Sequence, residues 1–213
     1  MNKLVAWFVK VTGFLPQLIF FKKKIYYQNK KVQGRKIKGG AIVASNHNSL
    51  LDFALLMFVF MQRDMYTLVA EVMFQKNVFL TWLLKRIGCI RVDRYKADTN
   101  SLNIAIKKLR KGKVVEIFPE GRLPLKHEKG LLPFKTGAVH LALKSNTPII
   151  PVYLDGKYGK KQNAGVMIGE PIDVCKMYNP LKTEKENVDE LTEYLKNTIK
   201  ALGEKLNEAK EKK

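Results

Sequence analysis

The chain has 213 residues, 46% of them apolar and 27% charged. That is enough to bury roughly 70% of the unfolded surface, and the composition excludes a disordered chain, a collagen-like repeat and a polytopic membrane protein. Lys and Arg number 39 against 19 Asp and Glu, a formal net charge of +20, which points to a polyanionic partner, either nucleic acid or an anionic membrane surface.

Half of that charge lies in residues 1–40, which hold Lys3, Lys10, Lys22, Lys23, Lys24, Lys30, Lys31, Arg35, Lys36 and Lys38 and no acid. Within this segment Leu4 to Phe21 is strongly apolar and carries Trp7, Phe8, Phe14, Phe20 and Phe21, interrupted by Lys10, Gly13, Pro16 and Gln17. A comfortable bilayer span needs about 20 mostly apolar residues, so a full crossing is marginal. No small-residue cleavage site follows, so a removable signal peptide is not expected. An aromatic-bearing apolar stretch followed by a polybasic run suits an interfacial membrane anchor, and a core helix with a solvated basic face is the alternative. Nucleic acid is the weaker partner, because the sequence has no zinc-finger spacing, no aromatic ribonucleoprotein motif and no basic-region heptads.

After Gly39-Gly40 short β-rich runs alternate with helical ones. Ala41 to Ser45, Tyr66 to Ala70, Cys89 to Val92, Val114 to Phe118, Ile149 to Leu154 and Val166 to Ile168 read as strands, and Leu50 to Met61, Val78 to Ile87, Asp98 to Lys111 and Thr136 to Lys144 as helices. The alternation predicts a single α/β domain over 41–182, a mixed sheet covered by helices. From Thr183 onward Val188, Leu191, Leu195, Ile199, Leu202 and Leu206 recur at three- and four-residue steps, an amphipathic helix over 183–213 expected to pack on the domain. The cysteines, Cys89 and Cys175, are too few for a disulfide framework and have no Cys or His neighbour at metal-ligand spacing, which fits a reducing, intracellular compartment.

Chemistry-bearing residues collect where strands end. His47 follows the strand Ala41 to Ser45 and Asp52 falls in the first turn of the next helix, close enough to orient the imidazole as a general base. The same residues also read as a capping box with Ser49 as the cap. Phe118-Pro119-Glu120-Gly121-Arg122 follows another strand and presents Glu120 and Arg122 in a tight turn. Arg122 suits an anion, or a surface pair with Glu120. Arg94, at the end of Gly88 to Arg94, is a further cation for an anion or a partner for Asp93 or Asp98, and Pro148 to Val152 is a Pro-flanked apolar strand. His127 and His140 carry no assigned role.

In this order the four segments resemble the lysophosphatidic acid acyltransferase (1-acylglycerol-3-phosphate acyltransferase) family of glycerolipid acyltransferases. His47 and Asp52, four residues between them, match its first motif, and Gly88 with Arg94 the second. Phe118 to Gly121 match the third, and Ile150-Pro151 the fourth. Pro133 to Ala138, with Lys135, is similar to the segment after the third motif. Arg122 departs from the family pattern by standing where Thr is usual, with Leu123 and Pro124 at the usual Arg and Ser positions. The resemblance implies that His47, oriented by Asp52, deprotonates the sn-2 hydroxyl of lysophosphatidic acid as it attacks a fatty acyl thioester. It further implies that Arg94, Arg122 and Lys135 hold the acceptor phosphate, that Glu120 orders the arginines or binds a glycerol hydroxyl, and that Gly121 belongs to the substrate site. Acyl-CoA or acyl carrier protein is the expected donor, with no metal or organic cofactor, at the cytoplasmic face of the membrane. Another lysophospholipid or glycerol 3-phosphate is the alternative acceptor, and a non-catalytic basic module that binds anionic membrane or nucleic acid is the alternative to an enzyme.

Overall fold

The computed structural model describes residues 1–93, 99–159 and 162–212. The apolar N-terminal stretch forms two helices, α1 (Lys3–Thr12) and α2 (Phe14–Phe21), bent by 51° at their junction. Asn2 caps α1, its side chain accepting from the Leu4 and Val5 N–H groups at 3.0 and 3.3 Å, as short polar side chains do at helix starts. Gly13 sits at the bend because Phe58 presses against it: a Cβ there would lie 2.8 Å from the ring. Lys10, the charge that interrupts the apolar run, turns inward, and its ammonium donates to the Met61 and Arg63 carbonyls at 3.0 and 2.8 Å. Its pKa falls with that burial.

Seven strands then build one sheet: β1 (Lys24–Tyr27), β2 (Ala41–Ser45), β3 (Met65–Ala70), β4 (Ile90–Val92), β5 (Val114–Ile117), β6 (Ile149–Leu154) and β7 (Gly165–Ile168), in the order β1-β7-β6-β2-β5-β3-β4. Every neighbouring pair is parallel except β6 and β7. The sheet is therefore mixed, as the alternation predicts, and β2 is buried along its whole length, which explains its unbroken apolar run.

Helices cover both faces. On one, α5 (Thr99–Arg110), α6 (Gly137–Ser145) and α8 (Glu184–Glu211) pack Leu109, Leu141, Leu195 and Ile199 against Ile42 and Val115. On the other, α2 and α3 (Asp52–Val59) pack Phe21, Leu55, Leu56 and Phe58 against Val43, Val114 and Ile150. α4 (Val78–Ile87) flanks α1, and α7 (Val174–Met177) is a single turn between β7 and α8. The apolar stripe read from the sequence lies buried along α8, which starts in a capping box made by Thr183 and Glu186. One strand was not anticipated: β1 comes from the basic N-terminal segment and pairs with β7, Lys24 opposite Gly165.

Because β2, β3, β4, β5 and β6 all run the same way, the loops after them emerge at one end of the sheet. Such an edge is where open α/β sheets present functional side chains.

Candidate active site

At this end β2 is pinned to β6 by Asn46. Its amide donates to the Leu154 carbonyl and accepts from the Leu154 N–H, both at 2.8 Å, and the Asn48 amide donates to the same carbonyl at 2.7 Å. His47 lies between these two anchors. Its Nδ1 stands 2.9 Å from Asp52 Oδ2. That oxygen also accepts the backbone N–H groups of Asn48 and Ser49 at 2.6 and 2.8 Å, while Oδ1 accepts from the Tyr158 hydroxyl. The carboxylate has no solvent exposure, so these four donors replace its hydration. The two sequence readings of Asp52 separate here: α3 begins at Asp52 itself with Leu51 at the cap position and no side-chain cap, so the capping box with Ser49 does not form, and the carboxylate instead gathers the loop amides and engages the imidazole.

The other side of His47 is fixed by the turn after β5. Phe118 stacks on the imidazole with ring centroids 4.1 Å apart and planes 20° from parallel. Glu120 faces inward, with Oε1 accepting from the His47 N–H at 2.8 Å and Oε2 from the Leu132 N–H at 2.9 Å. Burial raises the Glu120 pKa, opposed by those two hydrogen bonds. The sequence reading paired Glu120 with Arg122 or with a substrate hydroxyl. Among the described residues Glu120 is not paired with Arg122: its hydrogen bonds go to two backbone amides and brace two loops. Arg122 pairs with Glu128, its guanidinium nitrogens donating to the two carboxylate oxygens at 2.6 and 2.5 Å. That fork draws the Glu128 pKa down to about 2 and raises the Arg122 pKa. Gly121 takes φ +70°, and a Cβ there would lie 3.0 Å from Lys135 Cε, so the lysine stem passes directly over the glycine.

His47, Gly121, Arg122 and Lys135 all line one cavity of about 640 Å³. Leu50, Phe53, Leu68, Val72, Met73 and Leu102 make most of its wall apolar. Arg94 lies outside the described residues. Among the described residues no cluster of three or more His, Cys, Asp or Glu could hold a metal ion.

The acyltransferase family model matches residues 23–155, more than half of the chain and the stretch that carries His47, Asp52, Glu120, Arg122 and Lys135. The chain belongs to the acyltransferase family. The 1-acyl-sn-glycerol-3-phosphate acyltransferase of Bacillus subtilis (strain 168) is 28% identical over 174 residues, 79% of this chain and 84% of that protein. The Saccharomyces cerevisiae protein of the same name is 31% identical over 163 residues, 72% of this chain and 51% of that protein, so this acyltransferase spans about half the length of its yeast relative. The crystal structure of the 1-acyl-sn-glycerophosphate (LPA) acyltransferase PlsC from Thermotoga maritima shares the fold, with a TM-score of 0.66 and 22% identity over 98% of this chain and 79% of that one.

Three features of this acyltransferase's site escaped the sequence reading. Tyr158 lies 106 positions from Asp52, and only the flanking Gly156 and Gly159 mark its loop as a turn. Asn46 and Asn48 flank His47 in sequence, but their bonds to Leu154 reach more than 100 positions along the chain. Glu116, fully buried on β5, accepts from the Thr67 hydroxyl at 2.6 Å and, among the described residues, has no partner for Oε1. Burial raises its pKa well above the carboxylate range, against the Thr67 hydrogen bond that lowers it.

Proposed function

We propose that this acyltransferase moves a fatty acyl group from an acyl thioester to the sn-2 hydroxyl of lysophosphatidic acid, giving phosphatidic acid. The observation that carries the reading is a histidine with Nδ1 engaged by a buried carboxylate, opening on an apolar cavity with cations at its polar end. With Nδ1 occupied, Nε2 is the nitrogen left to accept a proton. It takes the hydroxyl proton as the oxygen attacks the thioester carbonyl. The tetrahedral adduct then expels thiolate, which recovers the proton from the imidazolium. The carbon–oxygen bond forms as the adduct is made, the carbon–sulfur bond breaks as it collapses, and no covalent acyl-enzyme is required. General-base help of this kind contributes about a hundred- to ten-thousand-fold, and holding the reactants together supplies much of the rest. The apolar wall suits an acyl chain, and Lys135 with Arg122 suits the acceptor phosphate.

The membrane is the proposed workplace, with the protein lying on its cytoplasmic face. Leu4, Trp7, Phe8, Leu15, Leu18 and Ile19 project outward from α1 and α2, beside α4, where Val78 and Phe79 are 87% and 71% exposed. Among the described residues no single helix is long and apolar enough to cross a bilayer, although α1 and α2 together have the length and composition to do so. Lysines near such a surface contribute about 1 kcal/mol each at an anionic bilayer. Acyl-CoA and acyl carrier protein are both acidic, and either suits a basic protein as donor.

The test supplies purified protein with lysophosphatidic acid in vesicles and palmitoyl-CoA or palmitoyl-acyl carrier protein, and detects phosphatidic acid by mass spectrometry. Wild type yields product with at least one donor, and His47→Ala loses at least about a hundredfold in rate. Folded wild-type protein that makes no product with either donor sinks the reading and turns attention to other lysophospholipid acceptors.

A further inference from the structure

The Tyr158 hydroxyl is the donor that satisfies Asp52 Oδ1, and the tyrosine stands on a connection that leads away from the site. Its ring meets Phe21, the last residue of α2, edge-on with centroids 5.6 Å apart and planes at 80°. Phe21 is itself only 4% exposed and also touches Phe58 of α3. The backbone repeats the link, with the Gly159 N–H donating to the Phe20 carbonyl at 3.0 Å and the Ala164 N–H to the Phe21 carbonyl at 2.9 Å. At its other end the loop is held against the histidine turn. Gly156 has φ +69°, and a Cβ there would lie 2.8 Å from Asn48 Cβ, so only glycine permits that approach. Asp155 is tied to Lys210 of α8. The loop is thus fixed at both ends, and the tyrosine bridges the exposed apolar helix and the carboxylate that orients the base.

We propose that Tyr158 is a positioning residue for Asp52, and that Phe21 couples it to α2, so that the seating of α2 sets the alignment of the His47–Asp52 pair. This rests on the acyl-transfer reading of the site. A phenol hydrogen bond to Oδ1 fixes the rotation of the carboxylate and draws off part of its charge, leaving Oδ2 aimed at Nδ1. The consequence for the enzyme is that the helix facing the lipid and the proton-accepting imidazole are joined through two aromatic rings and one hydroxyl.

Tyr158→Phe keeps the ring on Phe21 and removes only the hydroxyl, and Phe21→Ala removes the ring contact. The expected result for Tyr158→Phe is a fall in kcat of about tenfold, the equivalent of one lost hydrogen bond to a charged group, with the KM for both substrates unchanged. The carboxylate then acts more strongly on the imidazole, so the acidic limb of the kcat/KM profile moves to higher pH. Other charged groups around the site are Glu120, which holds the His47 N–H, Glu116, whose field acts on Asp52, Asp155, whose charge acts on Tyr158, and Lys135 across the cavity from His47, and both variants leave them in place. Phe21→Ala lowers kcat in the same sense on vesicles, and the double variant is no slower than Tyr158→Phe alone, since both act on one contact chain. Wild-type kcat and pH profile in Tyr158→Phe overturn the proposal, and additive losses in the double variant overturn the coupling to α2. The His47 Nδ1 proton resonance, followed by NMR in wild type and Tyr158→Phe, reports the pair without any turnover. A shifted resonance in protein that transfers no acyl group therefore sinks the reaction while supporting the tether, and an unshifted one sinks the tether whatever the activity.

Discussion

Asp52 shows how much one side chain does at this site: from the first position of α3 it fills the hydrogen-bonding needs of two backbone amides in the loop before the helix, takes the Tyr158 hydroxyl and orients the imidazole. Its spacing from His47 is local, so the sequence exposes it. Tyr158 and Glu116 are different, because their roles come from residues brought beside them by the sheet rather than by neighbouring positions. Glu116 yields a prediction with a definite sign. Its folded pKa lies well above the ordinary glutamate value of 4.5, so folding binds a proton. Stability from this group is complete below about pH 4.5 and declines as pH rises toward the folded pKa. Glu116→Gln mimics the protonated acid at every pH. Its Tm should match wild type near pH 4 and exceed it at pH 8, where the wild-type carboxyl is ionised in the unfolded chain. Thermal unfolding across that range checks it, and a constant difference between the two proteins would mean that the carboxyl does not titrate on unfolding.

At the scale of elements, the strands at 41–45 and 149–154 and the helix α4 coincide with their sequence-predicted spans, because long apolar runs and clear caps fix them. β1 went unseen for the opposite reason. Lys24-Ile25-Tyr26-Tyr27 is short, half exposed and set among lysines, so its signal is submerged in the basic segment, and its pairing partner lies far along the chain. α8 was readable from its stripe, and its contribution is measurable. Leu195 is 1% exposed in the core with Ile199 and Leu191. Leu195→Ala should cost about 2–5 kcal/mol, read as a lower urea midpoint with an unchanged slope. A loss under about 0.5 kcal/mol would show that α8 does not belong to the cooperative unit.

For the whole molecule, the charge of +20 and the apolar face of α1 and α2 make separable contributions to binding a bilayer. Screening shortens the reach of exposed charge to about 10 Å at 0.1 M salt and about 3 Å at 1 M, whereas apolar insertion survives it. Binding to vesicles containing phosphatidylglycerol should therefore weaken by about tenfold or more between 0.05 and 0.5 M salt and keep a salt-resistant remainder. Trp7→Ser with Phe8→Ser should remove that remainder, as measured by vesicle sedimentation. Binding that ignores both salt and these substitutions would exclude the interfacial reading.

The parallel pairing of β1 with β7 also sets a timetable. During synthesis β1 emerges roughly 140 residues ahead of its partner, and at about 5–20 residues per second the wait is on the order of ten to thirty seconds. For the early part of that interval α1 and α2 have left the ribosome while most of the strands they later pack against are still unmade. Non-local strand pairing of this kind comes late in folding, so the two apolar helices have time to meet lipid while the catalytic end is still being made.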